Sequence, residues 1–303
     1  MDKNTRAITA GHIIAILTVI VWGTTFISTK ILLRSFSPIE ILFLRMILGY
    51  IALWLTKPKF LKIPDKKKEF LFAGAGLCGV TLYFLFENIA LMYSSASNIS
   101  VIVSLAPFFT AIFARFFTKE EKLHARFFIG FLIAISGIVL ISFNGRFVLK
   151  LNPLGDFLGI LAAVVWGIYS NLTKKISTYG YHTFLTTRRT FFYGILFMIP
   201  ALFLFHFSPD MSKFSSPENL FNIIFLGVGA SAICFVTWNH AVKVIGAIKT
   251  SVYIYMAPVI TVITSAIVLK ESLTYITAAG TFLTLTGLLI SEWRTKKQMN
   301  EPV

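Results

Sequence analysis

Of thirteen aspartates and glutamates in this sequence, Glu87 alone stands clearly inside a long apolar run. A charge at the centre of a bilayer costs about 2.5–3.5 kcal/mol on insertion scales, so an ionisable group in such a run is a candidate for function. Tyr83, four residues earlier, shares its helical face, and Asn88 is its neighbour. A carboxylate facing a cavity could hold a substrate ammonium or exchange a proton with it. It could equally serve as a structural partner for an arginine, or sit near enough to the outer end to be solvated. Arg45 and Arg189 lie 144 residues apart, each about two turns into its own apolar run. For this matched pair, capping of backbone carbonyls or snorkelling is favoured over binding of an anionic substrate. Arg188 has no such mate, because Leu44 stands at the corresponding place.

A second pattern surrounds these groups. Trp22, Thr25, Phe26 and Thr29 fall on one helical face, and Trp166, Tyr169, Ser170 and Thr173 repeat the spacing. Hydroxyl-bearing faces of this kind can pack helix against helix. They can also wall a cavity for a partly apolar solute, with aromatic sides and a few polar anchors, and this reading is favoured because the face occurs twice. Asn88 and Asn239 are candidate anchors or interhelical hydrogen-bonding groups, and Trp238 stands where Glu87 has its counterpart. Tyr253 and Tyr255 add hydroxyls just before Pro258, which frees a carbonyl one turn upstream. The stripe itself contains neither Arg nor Lys, which leans toward a neutral, zwitterionic or cationic solute. The five His residues are dispersed without metal-ligand spacing, and Cys78 and Cys234 read as small buried hydrophobes. No phosphate-cradling Gly-rich loop and no extramembrane nucleotide domain occur, so ATP-driven work within this chain is not expected, and no metal, cofactor or catalytic residues are expected either.

The elements that position these groups follow from composition. The 303 residues are 56% hydrophobic and 14% charged, with a mean hydropathy of +0.78. Soluble domains carry about 25% charge, so this chain lacks the polar surface to face water all round. Apolar stretches of about 20 residues, enough to cross the hydrocarbon layer, number ten. They run roughly over 13–33, 38–56, 70–92, 97–117, 127–143, 154–173, 183–205, 220–241, 247–269 and 275–293. An all-α integral membrane protein with ten transmembrane helices is therefore expected. The charge of +15, from 28 basic and 13 acidic residues, would suggest nucleic acid in a soluble protein. Placed on the spans it is a topology record instead, and no nucleic acid is expected. Nineteen Lys and Arg fall on the side of the N-terminus, against six on the other (Lys30, Arg34, Arg146, Lys150, Lys213 and Lys270). The positive-inside rule then puts both termini in the cytoplasm of a cell with this chain in its cytoplasmic (inner) membrane. Six lysines between 57 and 68 would meet anionic lipid on that face.

The chain also repeats itself. At an offset of 144, Trp22-Gly23 meets Trp166-Gly167, Thr29-Lys30 meets Thr173-Lys174, and Arg45 meets Arg189. At 151, Asn88 meets Asn239, Ala106-Pro107 meets Ala257-Pro258, and Glu120 meets Glu271. After one extra residue near Glu121, Gly130 and Gly137 meet Gly280 and Gly287 at 150. Each copy holds five spans. Five is odd, so the second copy enters from the opposite side, giving two inverted five-helix repeats. Halves of opposite direction can exchange conformations and open a midplane site to either face in turn.

The Trp-Gly in the first span of each half, the Arg in the second, the Ala-Pro in the fourth and the glutamate that follows resemble the EamA-type drug/metabolite transporter superfamily. The likeness covers about 11–293. It implies a first repeat over 11–143 and a second over 154–293, between cytoplasmic tails at 1–10 and 294–303. It further implies a secondary transporter, not an enzyme, exporting a small organic solute such as an amino acid or related metabolite through a cavity between the halves. A proton is the candidate coupling ion. A channel or facilitator of the same fold, or an importer of another metabolite class, is the alternative. The residues expected at the solute are Trp22, Thr25, Tyr83, Glu87, Asn88, Trp166, Tyr169, Ser170, Trp238, Asn239 and Tyr253.

Overall fold

The computed structural model describes residues 3–117, 125–143, 153–208, 210–268 and 274–292, and every element among them is helical. The first half consists of α1 (Lys3–Leu32), α2 (Pro38–Thr56), α3 (Lys66–Tyr93), α4 (Ala96–Phe116) and α5 (Ala125–Phe143). The second consists of α6 (Pro153–Ser177), α7 (Thr183–Leu204), α8 (Pro217–Ile245), α9 (Ala247–Val268) and α10 (Tyr275–Glu292). Among the described residues eight of these are long and apolar enough to cross a membrane; α5, with 19 residues, and α10, with 18, stand at matching places in the two halves. The protein is thus an all-helical membrane protein built from duplicated halves.

Local chemistry explains the helix ends. Ser37 caps α2 in a capping box with Glu40, with Pro38 as the first helical residue, and Lys213 clamps the Glu40 carboxylate at 3.0 Å. Asp65 caps α3, which starts at Lys66 rather than at Phe70, because the cap lets the helix extend beyond its apolar run. The turn between α3 and α4 is tighter than the six small residues 93–98 suggest: Ser95 caps α4, and only Ser94 and Ser95 remain outside helix. Gly246, at φ +92°, makes the corresponding turn between α8 and α9 alone, a conformation that L side chains avoid. His182 caps α7 by accepting from the Phe184 amide. Its imidazole pKa is held below the usual range by partial burial and by the charges of Lys57 and Lys243, which suits an acceptor. Glu120, Glu121 and Glu271 lie outside the described residues, as do His124, residues 1–2 and the C-terminal tail from 293 onward, whereas residues 3–10 of the expected N-terminal tail are helical and form the start of α1.

Packing between the halves is reciprocal. α1 packs on α8 and α9, and its counterpart α6 packs on α3 and α4. α2 lies along α8 as α7 lies along α3, and α5 pairs with α10. The distortions repeat too. α3 contains a π-helical segment over Leu77–Leu82, and α8 contains one over Phe225–Ile233, at the 151-residue offset. α4 breaks at Ser104 and Leu105, and α9 passes through a 3₁₀ turn at Tyr253–Tyr255, each just before the Ala-Pro pair. Breaks of this kind are tolerated at membrane depth where protein or a cavity surrounds them.

Glycine permits the closest crossings. A Cβ on Gly23 would lie 2.6 Å from Ile260 of α9, and one on Gly167 would lie 2.8 Å from the Phe109 backbone in α4. In each Trp-Gly pair, therefore, the glycine lets the first helix approach the other half. α5 and α10 cross in the same way, with Gly137 against the Gly280 carbonyl and Gly287 against the Gly130 carbonyl, each 2.5 Å from the position of a Cβ. Small residues at such contacts let membrane helices gain van der Waals attraction. Gly287→Leu is expected to separate α5 from α10 and to lower the yield of monodisperse protein in detergent chromatography. A wild-type yield and melting temperature would show the crossing to be dispensable.

Candidate solute-binding cavity

A cavity of about 520 Å³ of empty space, including some that opens outward, lies between the halves. α1 lines it with Val19, Trp22, Thr25 and Phe26, α2 with Arg45, and α3 with Tyr83, Phe84 and Glu87. Ser100 and Val103 come from α4, Trp166 from α6, and Ile254 and Ala257 from α9. The lining falls at the distorted stretches: Tyr83 follows the π segment of α3, Val103 precedes the break in α4, and Ile254 sits in the 3₁₀ turn of α9. Local departures from α geometry redirect side chains and recur at functional sites.

Aromatic rings form one wall. Trp22 meets Trp166 edge-on at 5.2 Å between ring centroids, and Tyr83 lies 4.7 Å from Trp166. Trp238 backs Trp22 at 4.9 Å, and Phe235 stands behind both tryptophans of the wall. Trp22 donates its indole N–H to the Ala230 carbonyl at 3.0 Å, which locks its orientation. The Trp166 indole N–H is buried and has no protein partner.

The polar groups divide by sign. Glu87, 3% exposed, stands beside Tyr83 on the cavity wall, and its Oε2 is buried without a protein partner. Arg45, 1% exposed, donates from Nε to Ser231 Oγ at 3.1 Å and lies 4.0 Å over the Phe84 ring. The two charged groups share the wall without closing a salt bridge; the described ion pairs are Arg189–Glu69 and Lys213–Glu40. Thr25 and Ser100 donate their hydroxyl protons back to the carbonyls of Trp22 and Ser97, so only their oxygen lone pairs remain available. An acceptor set around a carboxylate suits an ammonium, and the guanidinium suits a carboxylate.

Arg45 requires a correction. Its match with Arg189 favours a shared structural duty, and the stripe reading leaves the cavity without a basic group. The structure instead places Arg45 on the cavity wall, neither capping carbonyls nor snorkelling. The reason lies in a missing acid. Arg189 is held by Glu69 at 2.6 Å, with Tyr193 on the same carboxylate at 2.7 Å. The counterpart of Glu69 in the second half, 151 residues on, is Leu220, so Arg45 has no such partner and turns to Phe84 and Ser231. Carbonyl capping falls to Arg188, which donates to the Lys57 and Lys59 carbonyls and stacks 4.3 Å over Trp54.

Of the residues expected at the solute, Trp22, Thr25, Tyr83, Glu87 and Trp166 come together on the wall. Trp238 and Tyr169 stand behind it, against Trp22 and Trp166 respectively. Tyr169 donates to Asn239 Oδ1 at 2.9 Å, and Asn239 donates to Thr187 at 3.0 Å. Asn88 donates to the Pro38 carbonyl at 3.1 Å, and Tyr253 pairs with His12 at 2.7 Å. Ser170 is fully buried with an unpartnered oxygen, away from this lining. Sequence reasoning missed Arg45, Phe84 and Ser100. The unequal counterparts of Glu69 were a signal for the first; nothing in the sequence marks Ser100.

Two five-helix halves enclosing a cavity with aromatic and charged walls define a membrane transport protein. The chain belongs to the EamA-like transporter family, whose profile matches residues 9–143 and again 153–293. It is a membrane transporter, not an enzyme, and its partners are a small-molecule solute and the bilayer. Two proteins of Archaeoglobus fulgidus, each named an uncharacterized transporter, are 27% and 30% identical to it. The alignments cover 92% of this chain in both cases, and 96% and 97% of those proteins. A protein of Streptantibioticus cattleyicolor named a probable terminal-alkyne amino-acid exporter is 23% identical, over 94% of each chain. A crystal structure of a protein 18% identical superposes with a TM-score of 0.72, covering 93% of this chain and 98% of that one, and shows the fold alone.

Proposed function

We propose that the transporter exports a zwitterionic amino acid, or a close relative with an apolar or aromatic side chain, by alternating access. The observation that carries this reading is the shared wall of Glu87, Arg45 and the Trp22–Trp166 cage. The carboxylate and the acceptor oxygens of Thr25 and Ser100 would hold the ammonium, and the guanidinium would hold the carboxylate. The rings would pack the side chain. Export is consistent with the name carried by the Streptantibioticus relative, and the Lys and Arg excess supports an orientation with both termini inside, in the cytoplasmic membrane. Glu87 is the group through which a proton would couple to solute movement.

Tryptophan fluorescence tests the recognition directly, because Trp22 and Trp166 form the wall. Titrating the purified protein with L-leucine and L-phenylalanine should give a saturable change. The matching amines and carboxylic acids, each with one charge removed, should bind more weakly by roughly tenfold or more, the loss of one charge-assisted contact. Equal responses to all three classes, or none to the amino acids, would remove the zwitterion reading. Efflux of L-leucine from loaded cells or liposomes then tests direction.

A further inference from the structure

A second pocket, of about 310 Å³ of empty space, lies where the C-terminal ends of α6 and α8 meet the N-terminal part of α7. It belongs to the same end of the bundle as the start of α1, since Gly11 of α1 lies against Ile245 at the end of α8. Apart from Ile176, every side chain lining it is polar. Thr173, Ser177 and Thr186 donate their protons to carbonyls at Ser170, Lys174 and Thr183, so they present acceptor oxygens. Lys243 supplies a cation at the rim, close enough to His182 to depress its pKa, after burial and together with Lys57.

The repeat gives this pocket a counterpart at the opposite end of the bundle. There Leu32, Ile39, Leu42 and Met46 stand where Ile176, Thr183, Thr186 and Thr190 stand here, and all four are 0–1% exposed. At these four positions one end of the pseudo-symmetric pair is packed with large apolar groups, while Thr29 and Asn88 keep the type of Thr173 and Asn239; the other end is a polar recess. Helix packing alone does not require the polarity: the same framework is satisfied by leucine and methionine in the first half. Threonines at three positions where a sealed counterpart uses large apolar groups leave room and hydrogen-bonding capacity.

We infer that this recess is a second solute site, which takes an amino acid at the end of the bundle bearing the N-terminus before it passes to the central cavity. It rests on the amino-acid reading of that cavity. The ammonium meets the acceptor oxygens of Thr173, Ser177 and Thr186, and the carboxylate meets Lys243. The two sites thus recognise the same two charges, the outer one with a solvated cation and the inner one with the buried Arg45.

Two reporters separate the sites. Ser177→Cys places a thiol on the recess wall, while native Cys78 is half-buried and Cys234 buried, so the unsubstituted protein gives the background rate. Modification by a charged maleimide is measured with and without saturating L-leucine, alongside tryptophan fluorescence from the central cage. L-leucine is expected to slow modification by about fivefold, as about 80% occupancy would. Adding Lys243→Ala should remove that protection while the fluorescence change persists. No protection while fluorescence still responds would overturn the recess as a site. So would protection that survives Lys243→Ala, which would mark a change of conformation. Silence of both reporters to L-leucine and L-phenylalanine would remove the central reading, and the second site with it.

Discussion

Arg45→Met is expected to raise the L-leucine concentration needed for half-maximal transport by about thirtyfold or more. The guanidinium is 1% exposed on the cavity wall, and methionine keeps most of its volume beside Phe84 while removing the charge. Truncating one member of a buried charge pair costs about 2–5 kcal/mol, and the lower figure already corresponds to about thirtyfold in affinity. The loss should be specific. L-leucinamide, which lacks the carboxylate, should bind the variant and the parent alike. Arg45→Lys should recover part of the affinity, since it restores the charge but not the planar group over Phe84. Glu87→Gln is the reciprocal test: it keeps the shape while removing the charge, and should weaken amino acids while sparing their deaminated acids. A half-saturation constant unchanged by Arg45→Met, in protein of normal melting temperature, would take the guanidinium out of recognition and leave it a packing group.

Trp166→Ala should have the second largest effect, and on two observables at once. The ring is 3% exposed and touches Trp22, Tyr83, Tyr169 and Phe235. Removing a buried ring of this size costs about 3–5 kcal/mol in stability, which should appear as a markedly lower melting temperature in detergent. Binding should fail as well, because the wall facing the side chain of the solute is gone. Trp238→Ala provides the comparison. That ring is fully buried but stands behind Trp22, outside the lining, so it should cost similar stability while preserving the order of preference among amino acids. Trp166→Phe should recover most of the stability and part of the affinity. Equal changes in selectivity from Trp166→Ala and Trp238→Ala would show that wall and backing cannot be distinguished and would withdraw the cage.

Much of the architecture could be read from residue order. Apolar runs of span length, short small-residue turns and matched Trp-Gly, Arg and Ala-Pro positions all act locally or through a register of fixed offset. They are therefore visible in one dimension, and nine of the ten helices begin within a few residues of those runs, while α1 begins ten residues earlier, at Lys3. Glu87 stood out for the same reason: a carboxylate in an apolar run is costly wherever the helix turns. The threonine and tryptophan stripes were only half informative. A helical face tells which side chains point together, but not what faces them, so Trp22, Thr25 and Trp166 line the cavity while Ser170 and Tyr169 do not.

The sequence by itself determined that this chain is a membrane protein of paired halves, because hydropathy and repetition are properties of the order of residues. Only the tertiary structure decided which of two matched arginines faces the cavity. Arg45 and Arg189 sit at the same repeat position, yet Glu69 reaches Arg189 from a neighbouring helix, and Leu220 offers Arg45 nothing. A side chain's charge is written in its residue type; its partner is set by what packing across the helices brings within a few ångströms.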